Sequence, residues 1–239
     1  MTNLRNNVPL ITCEHGGRVV PTEYTALFSG QQAVLDSHRG WDPGALVLGK
    51  KMADALGVPL YAATTTRLLV ELNRSIGHPQ LFSEFTRGLP PAQRQQIVLH
   101  HYRPHRDAVE SAIAGRIAAG YRVIHIASHS FTPVLDGVER SADVAWLYDP
   151  RRAGEKTFAA AWLKDFAQRA PALRLRRNYP YQGRDDGLMT VLRKRFADET
   201  YVGIELEVNQ RFALAGGAAW TRLQKEVTRS FAATLMQSA

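Results

Sequence analysis

YRVIHIASHSFTP, residues 121–133, contains a short apolar run that is rich in β-branched side chains. Val123, Ile124 and Ile126 are typical of a strand that is buried on both faces of a sheet. The run ends at the polar sequence SHS, so we expect His129 to lie just beyond the carboxyl end of the strand. Ligands of open α/β sheets bind at that edge. His129 is therefore a candidate site residue, with an ordinary structural histidine as the alternative.

A second stretch near the amino terminus has the same form. Residues 9–13, PLITC, make an apolar run that is followed by Glu14-His15-Gly16-Gly17. This pattern predicts a buried strand with a polar loop at its carboxyl end. Two strands that each deliver a histidine to one edge of a sheet predict a shared site.

Helical periodicity occurs between and after these strands. Apolar residues recur at helical spacing in four segments: 42–57, 90–120, 156–170 and 215–236. Pro104 is expected to kink the second helix, whose His101 and His105 we interpret as solvated or structural. Asp42 followed by Pro43 is a helix-start signal, so Asp42 is expected to be an N-cap, although its carboxylate could instead turn toward a metal ion.

The other strand signals bring further polar groups. Residues 67–72 are predicted to be extended and end at Asn73-Arg74, a pair suited to gripping a carboxylate. The alternating stretch 201–210, YVGIELEVNQ, predicts a strand with two glutamates on one face. Residues 176–188 hold too many turn-forming residues for regular structure, so we expect them to line a site.

Length and composition fit one α/β domain over residues 1–239. Hydrophobic residues make up 45% and charged residues 22% of the chain, and no apolar run approaches the roughly 18 residues of a membrane span. The amino terminus has no hydrophobic signal core, and the single cysteine, Cys13, agrees with a reducing compartment. We therefore expect a cytoplasmic protein without a membrane partner.

The net charge of +8 raises the question of nucleic-acid binding. The basic residues are mostly dispersed, and the chain lacks both the interleaved aromatic pattern of an RNA-binding sheet and zinc-finger spacing. Nucleic acid is therefore not an expected partner. A basic surface also concentrates small anions, which suits a carboxylate substrate.

The predicted strand ends together offer two histidines, an aspartate and a glutamate pair. A zinc hydrolase needs three nitrogen or oxygen ligands, an open position for water, and a carboxylate that takes the proton of that water. The inventory fits this need, although no local HExxH motif is present. The non-enzymatic alternative is a basic protein that binds anions or nucleic acid.

Several motifs, in order along nearly the whole chain, resemble the N-formylglutamate amidohydrolase family. They are CEHGGRVVP, HRGWDPGA, TRLLVELNR, HSFTPVLDG, NYPYQGRDDG and IELEVNQ. The resemblance implies a relation to zinc carboxypeptidases and aspartoacylases. It also implies a phosphorylase/hydrolase-like, three-layer α/β fold, with a mostly parallel or mixed central sheet and helices on both faces.

The resemblance further implies one zinc ion bound by His15 and His129. The carboxypeptidase relatives place a glutamate three positions after the first histidine, where this chain has Arg18, so another carboxylate must serve. Asp42 is the predicted third ligand because its DPG segment matches a family motif. The alternatives are Glu14 and His38.

The remaining roles come from the same resemblance. Glu207 is the predicted general base, with Glu205 as the alternative. Asn73 and Arg74 would hold the α-carboxylate of the substrate, and either Arg67 or Arg140 would stabilise the oxyanion or a second carboxylate. The predicted substrate-binding residues of the site-lining loop are Asn178 and Tyr181.

The implied reaction is hydrolysis of a small anionic N-acyl amino acid such as N-formylglutamate. The products are an amino acid and formate or another short acid, which places the enzyme in amino-acid catabolism, as in histidine degradation. A zinc peptidase or amidase that acts on peptides is the enzymatic alternative.

Overall fold

A six-stranded sheet forms the centre of the computed structural model, which describes residues 5–238. The strands are β1 (Arg5–Cys13), β2 (Leu60–Ala62), β3 (Tyr121–Phe131), β4 (Val134–Leu135), β5 (Val138–Glu139), β6 (Val144–Leu147), β7 (Leu175–Arg177) and β8 (Tyr201–Asn209). Their order across the sheet is β2-β1-β3-β8-β6-β7, while β4 and β5 form a separate hairpin. Strands β2, β1, β3 and β8 run parallel, and β6 is antiparallel to β8. The predicted mixed sheet is confirmed.

Helices cover both faces of this sheet. They are α1 (Gln32–Asp36), α2 (Ala45–Leu56), α3 (Pro91–Ile97), α4 (Arg103–Ala118), α5 (Ala153–Arg169), α6 (Leu188–Arg195), α7 (Gln210–Ala215) and α8 (Gly217–Gln237). Helices α2, α5 and α8 share an apolar cluster with Ile124 and Ile126, whereas α4 and α6 share one with Val123 and Ala127. Successive residues of β3 thus face opposite layers, which explains its continuous apolar sequence. Within residues 5–238, every helix is too short or too polar to span a lipid bilayer.

Strand β3 is longer than its sequence predicts. It continues to Phe131, so His129 lies on the strand and the prediction that it follows the strand is wrong. Strand β8 pairs with it throughout this region, with His129 opposite Glu207 and Phe131 opposite Asn209. The polar side chains do not end the strand, because the ladder satisfies their backbone groups.

Two further local predictions are wrong. Residues 67–72 form turns instead of an extended segment, because their apolar side chains pack into a separate cluster with Phe28 and Tyr102. Asp42 is not the N-cap of α2, since Gly44 occupies that position in the left-handed conformation. The Asp42 carboxylate instead contacts two histidines.

The predicted helix over residues 90–120 is interrupted. A π-helical turn, Val98–Tyr102, separates α3 from α4, and Pro104 lies in the first turn of α4. The backbone runs on from this turn into α4, since the Arg103 nitrogen donates a hydrogen bond to the carbonyl oxygen of Val98. A π-helical turn thus lies directly before Pro104, whereas the expected kink at this proline stays a prediction.

Candidate metal centre and active site

The carboxyl ends of three parallel strands carry polar side chains to one edge of the sheet. His15 follows β1, His129 lies near the end of β3, and Glu207 lies near the end of β8. Asp42 comes from the loop before α2, and its amide nitrogen donates a hydrogen bond of 2.9 Å to the carbonyl oxygen of His15. Residues that are far apart in the chain thus converge.

His15, Asp42 and His129, the three predicted metal ligands, lie together. Their ligand atoms are all within 4.8 Å of one another. Asp42 Oδ2 is 3.3 Å from His15 Nδ1 and 3.0 Å from His129 Nδ1. All three side chains are buried. Two imidazole nitrogens and one carboxylate oxygen make a donor set that suits Zn²⁺ and leaves a fourth position free, so these residues fit a zinc ion.

The other ring nitrogen of each histidine faces a second buried carboxylate. His15 Nε2 contacts Glu71 Oε1, and Glu71 Oε2 accepts a hydrogen bond of 2.7 Å from Arg67 Nε. His129 Nε2 lies 3.1 Å from Glu14 Oε2, although neither atom has a well-directed hydrogen-bond partner. Both Nδ1 atoms are therefore left to face Asp42.

The cluster favours positive charge at its centre. Burial opposes ionisation of Asp42, but the neighbouring imidazoles and Arg67 outweigh it and lower the pKa of this carboxyl group. Burial would also lower the pKa of His129, yet its contacts with Asp42 and Glu14 raise this pKa well above its usual value. A cation that replaced the imidazole protons would meet the same carboxylates.

Glu207 is buried opposite His129 in the sheet register. Burial raises the pKa of Glu207 to about 8. Its Oε2 atom has no hydrogen-bond partner among residues 5–238. Glu205, by contrast, is less buried and accepts a hydrogen bond of 3.2 Å from Asn73 Nδ2. An unpaired carboxylate beside a metal-binding cluster is able to take up and release a proton.

A cavity of about 350 Å³ opens onto the cluster and both glutamates. The predicted substrate-binding residues that line it are Asn73, Arg74 and Tyr181, together with the predicted catalytic Arg67. Arg67 is an ion-pair partner of both Asp42 and Glu71. Arg74 Nη1 donates hydrogen bonds to two carbonyl oxygens, those of Asn73 at 3.0 Å and Asp186 at 2.8 Å.

Arg140 does not line the cavity itself but reaches a residue that does. The Arg140 side chain is buried, and its Nη1 atom donates a hydrogen bond of 3.1 Å to the Tyr181 hydroxyl. Burial and then the positive charge of Arg140 lower the pKa of the cavity residue His38. Among residues 5–238, no carboxylate forms an ion pair with Arg140. Its charge is therefore not neutralised by an ion pair within this range.

Asn178 is placed where it supports the site-lining loop. Its Oδ1 atom accepts hydrogen bonds from the backbone nitrogen of Tyr148 at 2.9 Å and of Gly183 at 3.1 Å. A Cβ atom on Gly183 would lie 2.1 Å from Tyr148 N, so the loop requires glycine at this close approach. The structure thus turns Asn178 toward the backbone and not into the cavity.

The alternative ligands lie outside the cluster. Glu14 contacts the Nε2 side of His129, and His38 lines the cavity without joining the three ligand atoms. Arg18 is half-exposed and pairs with Asp36.

Sequence reasoning did not assign a role to Glu71. The available signal was a single carboxylate within the apolar run LLVEL, since a buried charge requires a partner. That signal predicts burial and pairing, but it does not identify His15 and Arg67 as the partners.

Comparison with known proteins agrees with this geometry. The family model described as N-formylglutamate amidohydrolase matches residues 9–214. The chain is similar to the crystal structure of a gene product from Agrobacterium tumefaciens, with a TM-score of 0.82, 27% identity, and coverage of 96% of this chain and 90% of that chain. No curated protein matches the chain significantly.

A second solved structure shares the fold. It is the N-formylglutamate amidohydrolase from Ralstonia eutropha JMP134, with a TM-score of 0.70 and 17% identity. The alignment covers 99% of this chain and 96% of that chain. The match therefore shows the same fold over nearly the whole chain.

Proposed function

The chain belongs to the N-formylglutamate amidohydrolase family, and we propose that it is a zinc-dependent enzyme that hydrolyses the amide bond of a small N-acyl amino acid such as N-formylglutamate. The observation that carries this proposal is the convergence of three buried ligand groups: His15 Nδ1 and His129 Nδ1 both lie within 3.3 Å of Asp42 Oδ2. The products would be an amino acid and formate or another short acid. A cytoplasmic role in amino-acid catabolism, such as histidine degradation, suits this reaction.

The three ligands would hold one zinc ion. When bound, zinc would lower the pKa of a water molecule toward roughly 7 and polarise the carbonyl group of the substrate. Asp42 and the two imidazoles would contribute one negative charge in total, so the zinc ion and its three ligands would together carry a net charge of about +1.

Glu207 is the proposed general base. Its buried carboxylate has an unpaired Oε2 atom on the same edge of the sheet as the cluster. It would take a proton from the attacking water and later deliver that proton to the nitrogen of the leaving amine. Glu205 is the less suitable base, because Asn73 already donates a hydrogen bond to it.

Arg67 is the proposed donor to the oxyanion. Its guanidinium group has five N–H bonds, and its contacts with Glu71 and Asp42 use the Nε group and at least one N–H of each terminal nitrogen. These contacts leave at most one N–H of each terminal nitrogen for a negative oxygen in the cavity. A donor held by two ion pairs is already oriented before the charge develops.

Two arginines at different positions suit a substrate with two carboxylates. Arg74 lines the cavity beside Asn73, where it would bind the α-carboxylate. Arg140 donates a hydrogen bond to the cavity residue Tyr181 and has no carboxylate partner among the described residues. It would bind a carboxylate on the side chain of the substrate. This arrangement favours a dicarboxylic N-acyl amino acid.

The size of the cavity favours this substrate over a peptide. Its volume of about 350 Å³ lies near the lower end of the range for small-molecule pockets, roughly 300–1,000 Å³. A peptidase would need an extended groove for residues on both sides of the cleaved bond. We therefore propose that the substrate is a single N-acyl amino acid and not a peptide.

The direct test is metal analysis with a hydrolysis screen. We expect about one zinc ion per chain and cleavage of N-formylglutamate, with weaker cleavage of N-acetyl and N-succinyl amino acids and of dipeptides. Removal of the metal by a chelator should abolish hydrolysis, and added zinc should restore it. Hydrolysis that survives complete removal of the metal would contradict the proposal.

Replacement of Arg140 by methionine should change substrate selection. We expect KM for N-formylglutamate to rise roughly 10- to 100-fold with kcat nearly unchanged, because a charge-assisted hydrogen bond contributes about 1.5–3 kcal/mol. KM for N-formylalanine, which has one carboxylate, should stay the same. Arg176→Met, on the exposed part of β7, is the matched control for losing one positive charge. An equal rise of KM for both substrates would show that Arg140 does not bind the side-chain carboxylate of the substrate.

A further inference from the structure

The two histidines of the metal cluster are supported by different carboxylates in a crossed pattern. Glu14 is adjacent in sequence to His15, yet its carboxylate lies against His129, 3.1 Å from Nε2. His15 is instead contacted by Glu71, which comes from the turn region before Asn73. Glu14 therefore contacts the distant histidine and not its neighbour in sequence, and the neighbour, His15, is contacted by Glu71.

Glu14 has an unusual environment for a carboxylate. Its side chain is fully buried, with 0% exposure, and its contacts are with two imidazoles, His129 and His105. Among residues 5–238, no lysine or arginine forms an ion pair with it. Burial of an ionised carboxylate is unfavourable unless it is paired, so its contacts with His129 and His105 stabilise Glu14 in this position.

His105 supplies the third member of this chain of contacts. It projects from the first turn of α4, and its Nε2 atom lies 3.1 Å from Glu14 Oε1. Its side chain is only 8% exposed. The oxygen of Glu14 that does not face His129 is thus held by a residue from another layer of the fold.

Glu71 is held in a different way. Its Oε1 atom accepts a hydrogen bond of 2.9 Å from the backbone nitrogen of Asn73, and its Oε2 atom accepts one from Arg67 Nε. An arginine and a backbone amide thus fix the carboxylate behind His15. The carboxylate that contacts His129 is held, among residues 5–238, by His105.

We propose that Glu14 and His105 are positioning residues for the metal ligand His129. The Glu14 carboxylate lies against Nε2 of His129 and so favours the ring orientation that presents Nδ1 to the metal, and His105 holds Glu14 in that orientation. This inference rests on the proposed function, because it assumes that the cluster binds zinc. Substitution of residues that form hydrogen bonds with a metal ligand typically lowers metal affinity by roughly 10- to 100-fold.

The test measures zinc affinity by competition with a chromogenic chelator and the visible absorption spectrum of the cobalt-substituted protein. Glu14→Ala, which removes the acceptor, should weaken zinc binding roughly 100-fold and change the cobalt spectrum. Glu14→Gln, which keeps an acceptor oxygen but loses the charge, should weaken binding roughly tenfold. His105→Ala should weaken binding by a similar factor, and His105→Gln should restore most of the affinity because its amide can donate to Glu14.

The control is His100→Ala, which changes an exposed histidine just before the same helix and should leave affinity and spectrum unchanged. If the Glu14 variants do not fold, the comparison of His105→Ala with His105→Gln tests the proposal. Wild-type affinity and spectrum in folded Glu14→Ala, or in His105→Ala, would overturn the positioning role while leaving the zinc enzyme intact. An unmodified protein that binds no zinc would overturn both proposals.

Discussion

Replacing His129 with alanine should remove zinc and abolish hydrolysis. One of three protein ligands is lost, and metal binding free energies of about 10–16 kcal/mol shared among the ligands imply a loss of roughly 4 kcal/mol, which is about a thousandfold in affinity. The buried Asp42 carboxylate and the Glu14 carboxylate would also lose their contacts with the imidazole. The measurements are zinc content per chain after gel filtration and kcat/KM with N-formylglutamate.

Two further variants make this result specific. Asp42→Ala should behave like His129→Ala, because both remove an atom of the same cluster. His100→Ala should retain full zinc content and activity, since this histidine is exposed and its hydrogen-bond partner in the described part of the chain is Gln96. A His129→Ala protein that keeps one zinc ion and normal hydrolysis would exclude this cluster as the catalytic metal site.

Replacing Glu207 with glutamine should slow catalysis without removing the metal. The amide keeps the shape of the side chain but cannot accept a proton, and general-base catalysis typically contributes roughly 10²- to 10⁴-fold. We therefore expect kcat to fall by that factor, with KM and zinc content close to those of the unmodified protein. Steady-state kinetics and metal analysis on the same preparation would measure both effects.

Glu205→Gln is the matched comparison, because Glu205 lies two residues away on the same strand and lines the same cavity. Its hydrogen bond from Asn73 makes it a poorer base, so we expect at most a tenfold loss of kcat. A large loss in Glu205→Gln together with a small loss in Glu207→Gln would transfer the role of base to Glu205.

The structure also explains which local predictions could be made from sequence. Segment 121–133 was recognisable as a central strand because β-branched residues fill both faces of β3. Its end was misplaced because the polar sequence SHS was interpreted as a loop, whereas pairing with β8 continues to Phe131. Segment 67–72 has a similar apolar composition, yet it forms turns, because its apolar side chains pack into the separate cluster with Phe28 and Tyr102.

The sequence alone determined the strand and helix pattern, the α/β class, and the kind of chemistry at the edge of the sheet. It could do so because periodicity reports burial, and because parallel strands bring their carboxyl ends to the same edge. His15 and His129 were found as candidates in this way, each close to the end of an apolar run.

Only the tertiary structure decided the partners of these residues. It placed Glu71 behind His15, Glu14 and His105 behind His129, and the Asn178 amide against the backbone of its own loop and of Tyr148. These contacts join positions that are far apart in the chain or that lie in irregular loops. Their distances depend on how helices pack on the sheet and on the paths of those loops, which no local pattern of apolar and polar residues encodes.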